Sequence, residues 1–319
     1  MEQIYTFGNY LKSKFGCKVY KVGINISGFT CPNIDGTVAK GGCTFCENDS
    51  FSASTNEIKD LKGFYLNLDS KTNPNLHLQL QQLKSQFNTI SKMQREIYGA
   101  KKFIVYFQSF TNTYAPFQTL KALYDEALSF DDVVGLSIGT RSDSITDETL
   151  NYLAKLNKDK EIWIEFGIQS IYDETLKKIN RGHDAQNVKE WIIKAKEKSL
   201  NVCGHLIFGL PDEDKEMMLQ TAKEAYSWGI DSVKYHPLYV VKRTALGNDF
   251  SKGKFTPISE EDYLDILVQS ILLKPKNISV QRITAGIDDD SLLAPDWCRD
   301  KNKQVKNINK ALKAFGLKY

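Results

Sequence analysis

The sequence contains no apolar run long enough to cross a membrane, and its first five residues, Met1 to Tyr5, lack the basic start and apolar core of a signal peptide. We therefore expect a cytoplasmic protein that makes no membrane contact. Because thiols are kept reduced in the cytoplasm, we expect the six cysteines to be metal ligands or buried thiols before disulfides.

A strong excess of charge of one sign is also absent. The formal net charge is +3 over 319 residues, so the composition permits a polyanionic partner and does not require one. Hydrophobic residues make up 41% of the chain and charged residues 25%, which is typical of a soluble globular protein. No internal repeat and no low-complexity linker is present. The length suits one large α/β barrel-type domain or two smaller domains.

Predicted strands and helices alternate along the chain. Short apolar runs indicate buried parallel strands, and apolar residues at helical spacing indicate the helices between them. Because no two strands are adjacent, we expect an α/β fold with a parallel sheet, one domain with a C-terminal extension, and functional residues at the carboxyl ends of the strands. The predicted strands are 18–26, 102–107, 133–138, 162–166, 202–208, 233–236 and 278–281, with helices at 76–97, after 116, after 146, up to about 180, 185–198, 211–228 and after 259.

Three cysteines lie in a glycine-rich loop after the first predicted strand: Cys31, Cys43 and Cys46, spaced C-x11-C-x2-C. Three thiolates can hold three corners of an iron–sulfur cube and leave the fourth iron open to another ligand. Zinc is the alternative, with Cys17 as a fourth ligand. Two observations oppose zinc: a predicted strand about 30 Å long separates Cys17 from Cys31, and a second C-x2-C pair is absent. Three unrelated buried thiols are a further alternative, which the neighbouring Gly, Pro and Asn residues disfavour.

Eight short blocks carry a resemblance to a known family: 28–33 (GFTCPN), 41–46 (GGCTFC), 106–114 (YFQSFTNTY), 139–141 (GTR), 167–170 (GIQS), 180–183 (NRGH), 206–211 (LIFGLP) and 294–298 (APDWC). Together they resemble the radical S-adenosylmethionine (radical SAM) enzymes, specifically the YhcC/YtqA type, which is related to the elongator catalytic subunit and to oxygen-independent coproporphyrinogen dehydrogenase. Most of the superfamily uses C-x3-C-x2-C, and the longer first gap is usual for this type. The resemblance implies a partial (β/α)6-type TIM barrel at residues 1–240 and, at 241–319, a C-terminal extension that packs on the barrel and is a candidate substrate-binding region.

The resemblance also implies that the three loop cysteines bind a 4Fe–4S cluster and that SAM chelates the fourth iron. One electron then cleaves SAM to a 5′-deoxyadenosyl radical, which abstracts hydrogen from the substrate. Candidate SAM contacts follow from the matched blocks: Phe45 for the adenine, Gln108 and Ser109 for the methionyl amine, Arg141 for SAM or substrate, Gln169 and His205 for the ribose, and Arg181 for the methionine carboxylate.

Two of these positions depart from the related enzymes. The segment at Gln108 lacks the glutamate that often binds the methionyl amine, and His205 stands where the coproporphyrinogen enzyme has an acidic residue. Each assignment also has a structural alternative: loop packing for Phe45, a surface ion pair for Arg141 and a buried structural imidazole for His205.

The catalytic residue is not identified, but there are three candidates. His236 and Tyr235 are expected to face the mouth of the barrel and contact the substrate. Cys298, beside Trp297, is a candidate hydrogen-atom donor, with a buried structural thiol as the alternative.

The relatives suggest a substrate. The elongator subunit acts on the wobble uridine of tRNA, and YtqA-type proteins are linked to the conversion of carboxymethylaminomethyl-uridine toward aminomethyl-uridine. Six lysines between residues 301 and 319 form either a solvated helix face or a phosphate-binding surface. The hypothesis is therefore tRNA wobble-uridine modification, with flavodoxin or ferredoxin as electron donor. The alternatives are a small-molecule or porphyrin-like substrate, and a non-catalytic zinc- or RNA-binding module.

Overall fold

The computed structural model describes residues 1–47, 64–70, 72–284, 286–287 and 290–319. Within these residues, seven parallel strands form one sheet that curls into a half barrel, in the order Val19–Ile24, Lys102–Phe107, Val133–Thr140, Glu161–Gln169, Asn201–Phe208, Ser232–Pro237 and Ser279–Arg282. Each neighbouring pair is parallel, as the alternation of strands and helices predicts.

The described residues form eleven strands and eleven α-helices. The strands are β1 (Glu2–Gln3), β2 (Val19–Ile24), β3 (Lys102–Phe107), β4 (Val133–Thr140), β5 (Glu161–Gln169), β6 (Asn201–Phe208), β7 (Ser232–Pro237), β8 (Val240–Val241), β9 (Ser279–Arg282), β10 (Leu292–Ala294) and β11 (Leu317–Lys318). The helices are α1 (Phe7–Phe15), α2 (Pro32–Asp35), α3 (Leu76–Tyr98), α4 (Phe117–Ser129), α5 (Asp147–Leu156), α6 (Asp173–Lys178), α7 (Ala185–Glu197), α8 (Lys215–Ser227), α9 (Ala245–Ser251), α10 (Glu260–Leu273) and α11 (Lys301–Ala314).

Most predicted elements lie within a few residues of those observed, and one prediction is wrong. The helix predicted from residue 211 begins at Lys215, because Pro211 and Asp212 form a turn in which Asp212 has φ 64°. The Asp214 carboxylate then caps the helix by accepting a hydrogen bond from the backbone N–H of Met217 at 2.8 Å. The segment 48–75, whose polar character suggested a mobile lid, lies largely outside the described residues.

The two faces of the curled sheet have different neighbours. The outer face packs against the helices through buried apolar side chains such as Leu136, Ile164 and Val202. Near the starts of the strands, the inner face is filled by helix α1, whose Phe7 and Leu11 join a cluster with Ile104, Trp163 and Cys203. The interior is therefore closed at that end, which leaves the carboxyl ends of the strands for a site.

The two edge strands of the sheet, β2 and β9, lie at its open side. Strand β9 belongs to the predicted C-terminal extension and pairs with β7, so this part of the chain completes the sheet. Its other edge is covered at one point, where the N–H of Val280 donates to the carbonyl of Tyr5 at 2.9 Å. Among the described residues, no helix is both long enough and apolar enough to span a bilayer.

Candidate functional site

The cysteine loop is ordered by its own backbone hydrogen bonds. Cys31 is the N-terminal cap of α2, and its carbonyl accepts from the N–H of Ile34 at 2.8 Å. The N–H of Cys46 donates to the carbonyl of Cys43 at 2.9 Å, so the C-x2-C pair forms a tight turn. All three thiols are free.

The same loop is fixed to the segment after α6. The Asn180 side-chain amide donates to the carbonyl of Gly42 at 2.7 Å, and the N–H of Thr44 donates to the carbonyl of Ile179 at 3.0 Å. The carbonyl of Thr44 in turn accepts from the N–H of Leu246 in α9, at 2.8 Å. The loop is therefore held from both sides, by the barrel and by the C-terminal segment.

A glycine permits the close approach of loop and barrel. Asn33 is fully buried, and its Nδ2 donates to the carbonyl of Arg181 at 2.9 Å. Gly182 has φ +83°, and a Cβ there would lie 2.6 Å from Oδ1 of Asn33. The NRGH block thus supplies an anchoring amide, a guanidinium and a residue without a side chain at one turn.

A cavity of about 230 Å³ lies between this loop and the carboxyl ends of the strands. It brings together nine residues that the sequence nominated: Cys31, Cys43, Cys46, Gln108, Ser109, Arg141, Gln169, Arg181 and His205.

Two buried guanidinium groups form one wall of the cavity. Arg141 is only 3% exposed, pairs with Asp143 and donates from Nη2 to the carbonyl of Arg181 at 2.7 Å. Arg181 donates from Nη2 to the carbonyl of Gly167 at 2.9 Å, and its Nη1 lies 3.9 Å from Sγ of Cys43. Arg141 Nη1 and Arg181 Nε are buried without a hydrogen-bond partner. A buried donor without a partner is costly, so both atoms are suited to bind an anionic ligand.

Two residues at strand ends have unusual backbone conformations. Ser109 follows β3 with φ 67°, and Gln169 ends β5 with φ 66°. Residues other than glycine rarely adopt this left-handed backbone conformation, and residues strained in this way are concentrated at functional sites. Ser109 Oγ and Gln169 Oε1 are also buried without a partner, so the strained residues present unused polar atoms.

The orientation of the His205 ring is set by Glu165, a residue for which the sequence predicted no role. Its Nε2 lies 2.7 Å from Oε2 of Glu165, and burial, with the nearby charge of Lys234, lowers the pKa of His205 to about 4. The imidazole is therefore neutral near pH 7, donates from Nε2 and leaves Nδ1 as an acceptor. A neutral histidine can thus accept a hydrogen bond where a related enzyme uses a carboxylate.

Glu165 lies at the centre of a charged network inside the half barrel. The carboxylate pairs with Lys21 and Lys234 and accepts from Oγ of Ser137 at 2.5 Å. Burial raises its pKa, but the two lysines outweigh burial and hold the pKa well below its usual range. A sequence signal existed, because Glu165 is the charged residue within the apolar run Ile162–Phe166, and buried carboxylates need partners.

The three loop thiols are close enough to interact. Burial, together with the neighbouring Cys43 and Cys31, raises the pKa of Cys46 to about 12, against the opposing charges of Arg181 and Arg141. Ligands of one tetrahedral zinc ion lie about 3.8 Å apart. Among the described residues, the group whose metal-binding atoms all lie within 4.8 Å of one another is Glu165, Cys203 and His205, and not the loop cysteines. At least two of the loop thiols therefore lie farther apart than two ligands of a single zinc ion would.

Four nominated residues lie outside the lining of this cavity. Phe45 packs against an apolar cluster that includes Ile179 and Leu246. Tyr235 was expected to face the barrel mouth, and this is wrong, because its hydroxyl lies 2.6 Å from that of Tyr226 on the helical side of the sheet. Consecutive residues of a strand point to opposite faces.

The remaining two residues are His236 and Cys298. His236, next along the same strand, points inward, with its ring 5.5 Å from that of His205. Cys298 is fully buried in a separate cluster with Tyr239 and Leu292, and burial raises its thiol pKa well above the usual value.

Two family profiles cover most of the chain. The Radical SAM superfamily profile matches residues 36–225, and the Radical_SAM C-terminal domain profile matches residues 230–314. The superfamily uses a 4Fe–4S cluster and SAM.

The described residues fit both groups. Three free thiols on one loop match the three protein ligands of such a cluster. The unpartnered donors of Arg141 and Arg181 suit the carboxylate of SAM, and the unpartnered oxygens of Gln169 and Ser109 suit its hydroxyl and amino groups.

Named relatives match the chain over nearly its whole length or over about half of it. YtqA of Bacillus subtilis (strain 168) is 36% identical over 316 residues, covering 99% of this chain and 91% of that protein. YhcC of Escherichia coli (strain K12) is 34% identical over 313 residues, covering 98% and 93%. A tRNA uridine(34) acetyltransferase of Methanocaldococcus infernus is 31% identical over 157 residues, which are 48% of this chain and 29% of that enzyme.

A solved structure supports the fold. The archaeal Elp3 of Methanocaldococcus infernus, with an N-terminal deletion, superposes with a TM-score of 0.61 at 20% identity, covering 94% of this chain and 64% of that one. The fold predicted from sequence, a partial α/β barrel, is therefore confirmed. With the profile match over residues 36–225 and two relatives above 30% identity along its length, the chain belongs to the radical SAM superfamily and resembles its YhcC/YtqA type.

Proposed function

We propose that this chain cleaves SAM reductively in the cavity described above and modifies the wobble uridine of tRNA. One observation carries the first part: three free thiols share a cavity with buried, unpartnered polar atoms of Ser109, Arg141, Gln169 and Arg181. When bound, the cluster and SAM supply a 5′-deoxyadenosyl radical that abstracts hydrogen from the substrate.

The protein side chains would position SAM and exclude water. Arg181 and Arg141 would bind the methionine carboxylate, since guanidinium groups suit planar carboxylates. Gln169 and neutral His205 would contact the ribose hydroxyls, and Gln108 with Ser109 would contact the amine. Phe45, outside the cavity lining, would support the cysteine loop and could reach the adenine only after a rearrangement.

A basic helix supports the tRNA assignment. Lys301, Lys303, Lys306, Lys310 and Lys313 of α11 are all exposed, and none forms an ion pair within the part of the chain that the structure describes. Residues 301–319 contain no acidic residue. Unpaired exposed lysines favour a polyanionic partner.

The partly matching tRNA uridine(34) acetyltransferase supports the nucleoside assigned. Its matched region covers under a third of that enzyme, so the acetyl transfer itself is not carried over. We propose instead the conversion of carboxymethylaminomethyl-uridine to aminomethyl-uridine, with residues 241–319 contributing to substrate binding. A hydrogen atom of the carboxymethyl CH2 would pass to the 5′-deoxyadenosyl radical, and the carbon radical left behind would lose one electron to the oxidised cluster and a proton to water to give an imine. Water would then hydrolyse this imine to the aminomethyl product and glyoxylate. The reaction would take place in the cytoplasm, with flavodoxin or ferredoxin as electron donor.

Anaerobic reconstitution tests the radical SAM assignment. The wild-type protein is expected to bind iron and sulfide and to form 5′-deoxyadenosine from SAM with a reductant. Cys31→Ala, Cys43→Ala and Cys46→Ala should abolish both properties, whereas Cys17→Ala, outside the cavity, should retain them. Zinc without sulfide in the wild-type protein, or full activity of a loop variant, would overturn the assignment.

Profiling of tRNA nucleosides tests the substrate. Purified protein with SAM and reductant should convert carboxymethylaminomethyl-uridine in tRNA, and a deletion strain should accumulate it. SAM cleavage without any change in the wobble nucleoside, in vitro and in the strain, would favour a small-molecule substrate.

A further inference from the structure

A second cavity lies beside the first, at the open side of the half barrel. It has a volume of about 860 Å³ and lies between edge strands β2 and β9. Tyr106 and Gln108 line both cavities, so these two side chains form the partition between them. A molecule in the second cavity would therefore approach the nominated SAM site through this partition.

Among the residues that the structure describes, the charges on the wall of this cavity are all of one sign. Lys21, Lys234 and Arg282 line it, and no described acidic residue does. Glu165, which lines the first cavity, pairs with both lysines, so its single negative charge leaves one positive charge uncompensated. Arg282 adds another, because the structure gives it no ion pair among the residues it describes.

A further group on this wall, the side-chain amide of Gln281, has an unused hydrogen-bond donor. Gln281 accepts from Lys21 at 2.6 Å through Oε1, but its Nε2 is buried without a partner. The Lys21 and Lys234 ammonium groups lie 4.8 Å and 4.4 Å from the centre of the Tyr106 ring. Cations and an unpartnered amide donor therefore converge on one end of the cavity.

We propose that this second cavity receives the substrate and that Lys234 and Arg282, with Lys21 beside them, bind a carboxylate of that substrate. If the proposed function holds, on which this identification rests, the group is the carboxymethyl end of the modified uridine. A phosphate of the RNA backbone suits the site less, because Lys234 is 3% exposed and lies inside the barrel. A group on an inserted base reaches it, whereas a backbone on the surface does not.

The C-terminal segment connects this cavity to the basic helix. Tyr319 lines the cavity, and β11 links it to α11, whose exposed lysines lie on the preceding turns of chain. Strand β11 pairs with β1, which ends three residues before Thr6, and Thr6 also lines the cavity. An RNA bound along α11 would thus lie on the helix that leads directly into a wall of the second cavity, and an extruded nucleotide is the part of it that could enter.

Binding of two matched RNAs to the reconstituted protein tests the inference. Anticodon stem-loops would carry either carboxymethylaminomethyl-uridine or aminomethyl-uridine at the wobble position. The wild-type protein should bind the carboxylate-bearing RNA at least about tenfold more tightly. Arg282→Gln should remove this preference and leave the affinity for the aminomethyl RNA and for SAM unchanged. Lys234→Gln should also remove the preference. Arg95→Gln, the same charge change on α3 outside both cavities, should retain it.

A second measurement works without RNA. Free 5-carboxymethylaminomethyluridine should slow the modification of Arg282 by phenylglyoxal, and 5-aminomethyluridine should not. Equal affinity for both RNAs together with equal protection by both nucleosides would overturn the carboxylate site, even in a protein that converts tRNA. Selective protection in a protein that leaves tRNA unmodified would support the site and remove the proposed function.

Discussion

Nε2 of His205 lies 2.7 Å from Oε2 of Glu165, across neighbouring strands of the sheet, and that same carboxylate pairs with Lys21 and Lys234. A single buried acid therefore orients a residue of the first cavity and partly compensates the two lysines of the second. The two cavities therefore depend on the same buried charge, and Tyr106 and Gln108 lie between them.

Replacing this acid should destabilise the protein. Glu165→Gln would leave two lysines in the barrel without a counter-charge, and breaking a buried ion pair typically costs about 3–5 kcal/mol. We expect a loss of about 3 kcal/mol in the free energy of unfolding, measured by denaturant titration without cofactors. Glu213→Gln is the control, because Glu213 bonds to Ser170 and burial raises its pKa. It should cost about 1 kcal/mol, and equal losses for both variants would contradict the central role of Glu165.

Removing the guanidinium of Arg181 should weaken SAM binding. Arg181 is 7% exposed and has an unpartnered Nε in the first cavity. Charge-assisted hydrogen bonds contribute about 1.5–3 kcal/mol, so Arg181→Gln should raise the Kd of SAM by about 10- to 100-fold. Arg181→Lys should recover only part, since an ammonium lacks the planar fork. Calorimetry on the anaerobic protein measures this, and an unchanged Kd in both variants would remove Arg181 from the site.

A single added methyl group tests the geometry of the same wall. In Gly167→Ala, the new Cβ would lie 2.7 Å from Nε2 of Gln169 and 2.8 Å from Nη2 of Arg181. Both side chains must move, so SAM affinity should fall by about tenfold while the unfolding midpoint changes little. Gly8→Ala places a Cβ in ordinary contact, 3.7 Å from Oγ1 of Thr6, and should leave SAM affinity unchanged. A normal affinity in Gly167→Ala would show that these two side chains do not bind SAM.

Stability should depend on pH through Lys21. Burial lowers the pKa of Lys21 to about 8, against the opposing charge of Glu165. The unfolded lysine keeps its proton up to about pH 10.4. Between these values the unfolded chain binds more protons, so this contribution to stability rises with pH, by at most about 1.4 kcal/mol per pH unit. The charged or titratable groups that face Lys21 are Glu165, Lys234, Cys203 and Tyr106.

Comparison with Lys21→Met isolates this effect. The free energy of unfolding of the wild type minus that of the variant should increase from pH 7.5 to pH 9.5, because the variant lacks the titrating group. Other titrating groups are common to both proteins and cancel to first order. A difference that stays flat or falls across this range would contradict the lowered pKa.

The basic helix should determine how RNA affinity responds to salt. Each phosphate contact contributes about 0.7 to 0.9 to the slope of log affinity against log salt. The triple variant Lys303→Gln, Lys306→Gln and Lys310→Gln should therefore flatten the slope by about 2 and weaken tRNA binding. A control triple on other exposed surfaces, Lys84→Gln, Lys92→Gln and Lys155→Gln, should change neither. Identical slopes for both triples would exclude α11 as the phosphate-binding surface.

Local patterns in the sequence predict the elements well where one kind of residue dominates. The apolar run at Lys102–Phe107 is a strand with the predicted bounds, and Thr146 caps α5 as expected. Strand β5 runs to Gln169, beyond the predicted end at 166, because its last residues pair with the neighbouring strand β6. The start of α8 depended on which of several polar residues would act as the cap, and the Asp214 carboxylate acts there.

The face to which a buried side chain points was harder to predict. On β7 both faces are covered, so alternation does not distinguish Tyr235, which points to the helices, from His236, which points inward. The Glu165 network joins residues from strands far apart in sequence, and its register depends on the curled sheet. The loop cysteines, in contrast, can be recognised in the sequence by their spacing and by the glycines around them.

The open side of the half barrel is joined by fewer hydrogen bonds than the paired strands of the sheet. Strands β2 and β9 are the two ends of the sheet order, and between them a single side-chain hydrogen bond joins Lys21 to Gln281. A closed barrel would have to break a ladder of backbone hydrogen bonds to admit a bulky guest. Here one side-chain hydrogen bond would have to break, and in the proposed carboxylate site the anion of the substrate would take the place of the Gln281 amide oxygen beside Lys21. Substrate entry and the loss of this hydrogen bond would then be one event.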